Sequence, residues 1–167
     1  MMILLRRAME GDIDSIRDLA MRTWPSAYGE ILSEEQISYM LDTMYSRAEL
    51  LKQVRAGYVF LMAEEDGMDI GFAGYSGLPE NATIYKLHKL YVLPQQHGKG
   101  VGKLLISEVC RLAAHAGAKT LQLNVNRHNK ARGFYESLGF KIVEEVDINI
   151  GKGFFMNDFI MEKELTQ

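Results

Sequence analysis

A helix-rich first third, a run of short apolar segments broken by turn residues, and a strand–helix–strand unit past the middle predict an α+β domain. These elements are expected to form one mixed β-sheet flanked by helices. The 167 residues are 47% hydrophobic and 25% charged, which suits a single domain over residues 1–167 with one core. Nineteen Lys and Arg stand against 22 Asp and Glu, for a net charge of -3. That balance, without basic runs, argues against a general nucleic-acid binder or a protein held on anionic membranes. One cysteine, Cys110, excludes an internal disulfide, and no Cys/His cluster has zinc spacing, so no metal is expected. The apolar run within Met1–Arg7 is too short for a signal-peptide core and has the wrong charge order. No apolar stretch approaches the ~20 residues of a membrane span. The expected address is the cytoplasm.

Ile13, Ile16, Leu19 and Ala20 recur at helical spacing after Asp12, predicting a helix from Asp12 to about Thr23 that Trp24-Pro25 ends. Two capping boxes follow, Ser33-Glu34-Glu35-Gln36 and Ser46-Arg47-Ala48-Glu49, and each opens a further helix. Tyr58 to Glu64 and Ile70 to Tyr75 flank Asp66-Gly67 as a hairpin. A third strand runs from about Ala82 to Leu93. Val101, Leu104, Leu105, Val109, Leu112, Ala113 and Ala116 make a helical stripe closed by Gly117, and Leu121, Leu123 and Val125 alternate as a strand. A short helix from about Lys130 to Leu138 ends at Gly139. Phe140 to Ile150 and Phe154 to Glu164 form a terminal antiparallel pair around Gly151-Lys152-Gly153. The unit from Ala82 to Val125 implies a parallel strand pair with a right-handed crossover.

The segment His97-Gly98-Lys99-Gly100-Val101-Gly102-Lys103 joins a strand to a helix N-terminus. Residues without side chains let successive backbone N–H groups approach an anion, and the helix start adds unpaired donors and a positive dipole end. Lys99, Lys103 and His97 add local positive charge, so the expected guest is a phosphate or pyrophosphate. A dinucleotide fingerprint would need glycine at 103 or 105 and finds Lys103 or Leu105; a P-loop would need glycine at 97 and Ser or Thr at 104 and finds His97 and Leu104. Neither pattern fits.

Taken with this loop, the segment from Asn124 through Asn129, Ala131, Phe134, Tyr135, Glu136, Leu138, Gly139 and Phe140 resembles the GNAT superfamily of acyl-CoA-dependent N-acetyltransferases. The loop is similar to the family's pyrophosphate motif, Q/R-x-x-G-x-G/A, with Gly100 and Gly102 at the glycine positions and His97 replacing Gln or Arg. The later segment is similar to the family's N…A…FYEKLGF signature. The resemblance covers nearly the whole chain and is strongest from Lys86 to Phe140.

The resemblance implies acetyl-CoA as cosubstrate. The backbones of Leu90 and Val92 would carry the pantetheine, and a strand N–H would hold the developing oxyanion. His97, Gly98, Lys99, Gly100, Val101, Gly102 and Lys103 would cradle the pyrophosphate, and Asn129 would contact the coenzyme near the pantetheine arm. Tyr135 stands at the general-acid position and would protonate the departing thiolate. An alkyl amine must lose a proton before it attacks. Lys86 occupies a strand position where many family members have Glu; others carry the base two residues on, which is His88, and an ordinary histidine pKa of ~6.5 suits the task. Trp24, Tyr28 and Glu30 fall in the variable part that forms the acceptor side. The expected reaction is direct acetyl transfer to a primary amine in a ternary complex. Small amines including polyamines are the acceptor class, and a second copy of the chain is the expected protein partner. Two rivals remain: a non-catalytic acyl-CoA sensor that has kept the loop, and a peptide or protein N-terminal acetyltransferase.

Overall fold

A computed structural model describes residues 2–166. Seven strands follow the order β1-β2-β3-β4-β5-β7-β6 in one mixed sheet, and five helices accompany them. The chain forms two compact units, one of residues 2–76 and 88–109, the other of 77–87 and 110–166. The fourth strand, β4 (Asn81–Val92), and the helix α4 (Val101–His115) each run from one unit into the other.

The first unit opens with β1 (Ile3–Arg7), which pairs antiparallel with β2 (Val59–Glu65). The sequence reading left that stretch unassigned, because an apolar run at a chain start has no period of its own; its partner lies more than 50 residues away. The helix α1 (Ile13–Tyr28) does not stop at Trp24-Pro25 as expected, and the Gly29 N–H still reaches the Pro25 carbonyl at 2.9 Å. Proline removes one N–H, here the one due to the exposed Met21 carbonyl, which water can satisfy. The extra turn puts Tyr28 one turn beyond Trp24 on the same face.

Both serines cap their helices as expected. Ser33 accepts from the Gln36 N–H at the start of α2 (Glu34–Met44), and Ser46 from the Glu49 N–H at the start of α3 (Arg47–Arg55). The helix α1 packs on α2 and α3. Its buried residues Ile13, Ile16, Leu19 and Trp24 join Phe60, Met62 and Phe72 in the core of this unit. The hairpin from β2 to β3 (Met68–Leu78) turns on Asp66 and Gly67, both at positive φ, the combination a two-residue turn of this hand demands. At Gly71 the neighbouring β4 comes so near that a Cβ would stand 2.9 Å from the Tyr91 carbonyl oxygen.

In the second unit, β4 pairs parallel with β5 (Thr120–Asn126), Lys86 opposite Gln122 and Leu87 opposite Leu123, which is the expected crossover pair. The short α5 (Ala131–Ser137) ends where Gly139 takes a φ of 97° and the Phe140 N–H returns to the Tyr135 carbonyl. The strands β6 (Lys141–Gly151) and β7 (Phe154–Glu164) form the terminal hairpin, with β7 between β5 and β6. Leu121, Leu123, Met161, Ala113 and Phe140 form the core of this unit. Among the described residues no helix is long and apolar enough to cross a membrane.

Candidate active site

In the first unit, β4 leads into the glycine loop through a one-turn 3-10 segment at Pro94–Gln96. Leu93 is buried, and its N–H is tied to the Ile70 carbonyl at 2.9 Å, so the strand end is fixed before the loop begins. The His97 ring donates from Nε2 to the Val92 carbonyl at 3.0 Å. At the position where the family motif has Gln or Arg, the histidine therefore buckles the loop onto the strand. Gly98 and Gly100 take φ values of 85° and 79°, and a Cβ at either would meet nothing within 4 Å. Two left-handed residues flanking Lys99 make an open concavity of backbone N–H groups. The first turn of α4 adds donors without intrahelical partners and the positive end of its dipole.

Buried Val101, Leu105, Ile106 and Val109 anchor the helix. Gly102 is half-buried and Lys103 exposed. Lys99 lies 3.8 Å from Glu65, a weak contact that leaves the ammonium available to an anion. The residues from His97 to Lys103 thus fit a pyrophosphate.

Leu90 and Val92 are half-buried on β4. His88, one alternation before Leu90, has Nε2 2.7 Å from the Ser76 hydroxyl and its ring stacked on Tyr58 at 4.5 Å. Neither partner was visible in the sequence, since Ser76 depends on strand register and Tyr58 on the turn that precedes β2. Lys89 points to the opposite face and is buried. Its Nζ lies 5.4 to 5.9 Å from the ring centres of Tyr45, Tyr58 and Phe60 and donates to Gln53 Oε1 at 3.0 Å. Burial pushes its pKa down to about 8, against the pull of Glu49.

Of the residues expected on the acceptor side, Trp24 is only 3% exposed, against Tyr28, Tyr45 and Tyr91 at centroid distances of 4.7, 5.7 and 5.8 Å. Its indole N–H is buried without a hydrogen-bond partner among the described residues. Tyr28 is half-buried, its hydroxyl 2.9 Å from that of Tyr91, and Glu30 is exposed.

The second unit carries Tyr135 and Asn129. Tyr135 is 9% exposed on α5, edge-on to Phe134 and Phe140 at 5.3 and 5.8 Å. Asn129 is half-buried, and its Oδ1 accepts from the Ala131 N–H at 2.8 Å, a turn that leads into the helix carrying Tyr135. No group of three or more His, Cys, Asp or Glu among the described residues has the geometry of a metal site.

A glycine loop between a strand and a helix, followed by a parallel strand and a short tyrosine-bearing helix, is the arrangement that the comparisons with known proteins assign to a family. Residues 56–142 match the family described as the acetyltransferase (GNAT) domain. Across 93% of its length the chain is 34% identical to an uncharacterized N-acetyltransferase of Mycobacterium tuberculosis, covering 99% of that protein. It is 31% identical to the spermidine N(1)-acetyltransferase of Thermoplasma acidophilum, over 98% of both chains. The crystal structure of the PaiA N-acetyltransferase of Thermoplasma acidophilum in complex with coenzyme A superimposes with a TM-score of 0.83 at 29% identity, covering 98% of this chain and 99% of that one. The chain belongs to the GNAT family and is an acetyl-CoA-dependent N-acetyltransferase.

Proposed function

We propose that the protein transfers the acetyl group of acetyl-CoA to a primary amine of a small molecule by direct attack in a ternary complex. The observation that carries this reading is the open pair of left-handed glycines, Gly98 and Gly100, at the start of α4. In this reading the loop holds the pyrophosphate through backbone N–H groups, with Lys99 and Lys103 adding charge. Leu90 and Val92 offer strand backbone to the pantetheine, and Asn129 holds the coenzyme arm. His88 removes a proton from the incoming ammonium, and its bond to Ser76 supports the role by fixing the ring. The amine nitrogen then adds to the thioester carbon while a β4 N–H holds the oxyanion; as this intermediate collapses the carbon–sulfur bond breaks, Tyr135 gives its phenolic proton to the sulfur, and the second proton of the nitrogen leaves to restore the phenol. Tyr28 and Glu30 line the acceptor side, with Trp24 behind them as a packed wall.

The likeness to a spermidine acetyltransferase supports a free small amine as acceptor, and a polyamine is the second reading it favours. Exposed Glu30, Glu34 and Glu35 suit such a cation.

The test is Tyr135→Phe. Amine-dependent CoA release should fall at least ~10-fold while acetyl-CoA binding by calorimetry stays within about twofold. Equal rates in variant and wild type would remove the phenol from the mechanism. A screen of polyamines, monoamines, amino acids and N-terminal peptides reads out the acceptor class.

A further inference from the structure

The Ser76 hydroxyl oxygen stands 2.7 Å from His88 Nε2, at the short end of the hydrogen-bond range. On β3 the residues from Ile70 to Tyr75 are buried, and Ser76 is the first after them to keep accessible surface. His88 is half-buried between Leu87 and Lys89, both buried. The hydroxyl and the ring therefore meet where the core of the first unit gives way to solvent.

The lone pair with which a neutral imidazole takes a proton lies in the ring plane, at a ring nitrogen. At Nε2 the Ser76 oxygen fills that direction, and Tyr58, stacked at 14° and 4.5 Å, covers one face of the ring. An ammonium arriving at Nε2 meets the hydroxyl first. A hydroxyl has one proton to give and two lone pairs with which to accept, so Ser76 can donate to Nε2 and accept an ammonium N–H at the same time.

We propose that Ser76 is the proton relay between the acceptor amine and His88. The ammonium gives a proton to Ser76 Oγ as the Oγ–H proton passes to His88 Nε2. The nitrogen keeps the electron pair with which it attacks, the serine ends as the neutral hydroxyl it was, and the positive charge moves from ammonium to imidazolium. Water later takes that proton from the ring. The relay rests on the reading of His88 as the base and deepens it: Ser76 touches the amine, and His88 holds the proton. It also fixes the tautomer, because the neutral ring must carry its hydrogen on Nδ1 and leave Nε2 bare. The opposite tautomer, donating from Nε2 to Ser76, would hold the ring equally well but could not take the serine's proton.

Two measurements test the relay. Nitrogen-15 spectra of the histidine rings, recorded on the full chain saturated with CoA at a pH where His88 is neutral and assigned with His88→Gln, should show a bare Nε2 and a protonated Nδ1. A proton on Nε2 overturns the relay. The second measurement is CoA release from acetyl-CoA with the fastest of spermidine, putrescine, ethylamine and glycinamide. Ser76→Ala should lower kcat/KM at least ~10-fold, to within about threefold of His88→Gln, and the double variant should lose no more than the worse single one, as residues acting as one unit do. Ser76→Thr, which restores a hydroxyl, should recover most of the loss, with acetyl-CoA affinity by calorimetry the same throughout. A Ser76→Ala loss well short of that of His88→Gln overturns the relay and leaves His88 as a direct base. A loss that comes with weakened coenzyme binding, or that Ser76→Thr does not recover, overturns it as well. A His88→Gln variant as fast as wild type overturns the base reading itself, and a wild type that acetylates none of the four amines overturns the small-amine reading; the relay falls with either.

Discussion

Lys89 shows how a single residue's burial sets a measurable pH dependence. The folded chain lowers its pKa from the ordinary 10.5 to about 8 by burial, so between those values the unfolded chain holds a proton that the native one has lost. Stability therefore rises with pH across that window. Below it both states are charged, and the native state bears the whole desolvation penalty, roughly 3 kcal/mol from a shift of this size. Three aromatic rings and Gln53 offset part of that penalty but supply no counter-charge in contact. Lys89→Met keeps the volume and removes the charge, so it should stabilise the protein at pH 7 by about 1–3 kcal/mol. The gain should shrink towards pH 10, as read from urea melts at the two pH values. A variant less stable than wild type at pH 7 would mean that the rings and Gln53 outweigh desolvation. Sequence alone placed Lys89 only as an unremarked strand residue, because alternation says which side a residue takes and not what covers it. The same limit applied to His88, whose partners are Ser76 on β3 and Tyr58 just before β2, whereas the core position of Trp24 was the better reading of its sequence.

The glycine loop is the element whose form follows most directly from its own residues. Its left-handed positions need glycine wherever they occur, and its helix is anchored by a local apolar stripe, so both could be read without knowing the rest of the fold. Gly100→Glu puts a side chain and a negative charge into the open space above the loop at a φ of 79°. It should abolish saturable acetyl-CoA binding in a calorimetric titration, while α4, held by Val101, Leu105 and Val109, keeps its helical signal. Retained micromolar-range affinity would move the pyrophosphate away from this loop. Elements governed by capping and turn chemistry were equally legible, including the two serine-capped helices and the Asp66-Gly67 hairpin. What local chemistry could not supply was β1, whose strand state comes from pairing with β2, and the last turn of α1. There the packing of Tyr28 against Trp24 prevails over the helix-ending tendency of Pro25.

At the scale of the whole molecule, the open edge of the sheet is the surface most suited to strand pairing with another chain. The strand β6 is 11 residues long, has β7 on one side only, and leaves Ile142, Val143 and Ile148 exposed, with Phe155 beside them on β7. A long apolar edge is a template for further strand pairing unless something blunts it. Glu144, Glu145 and Asp147 lie on this strand, but the last two are neutralised by Arg127, so charge guards the edge only weakly. We propose that two copies pair through β6 in a two-fold homodimer, the arrangement that buries the same edge in both partners and leaves neither open. Sedimentation at micromolar concentration should then give twice the chain mass of 18.9 kDa. Val143→Lys, adding a charge at an exposed edge position where it cannot disturb the core, should return the protein to the monomer while acetyl-CoA binding is retained. A wild type that sediments as a monomer would overturn the pairing of two copies through β6.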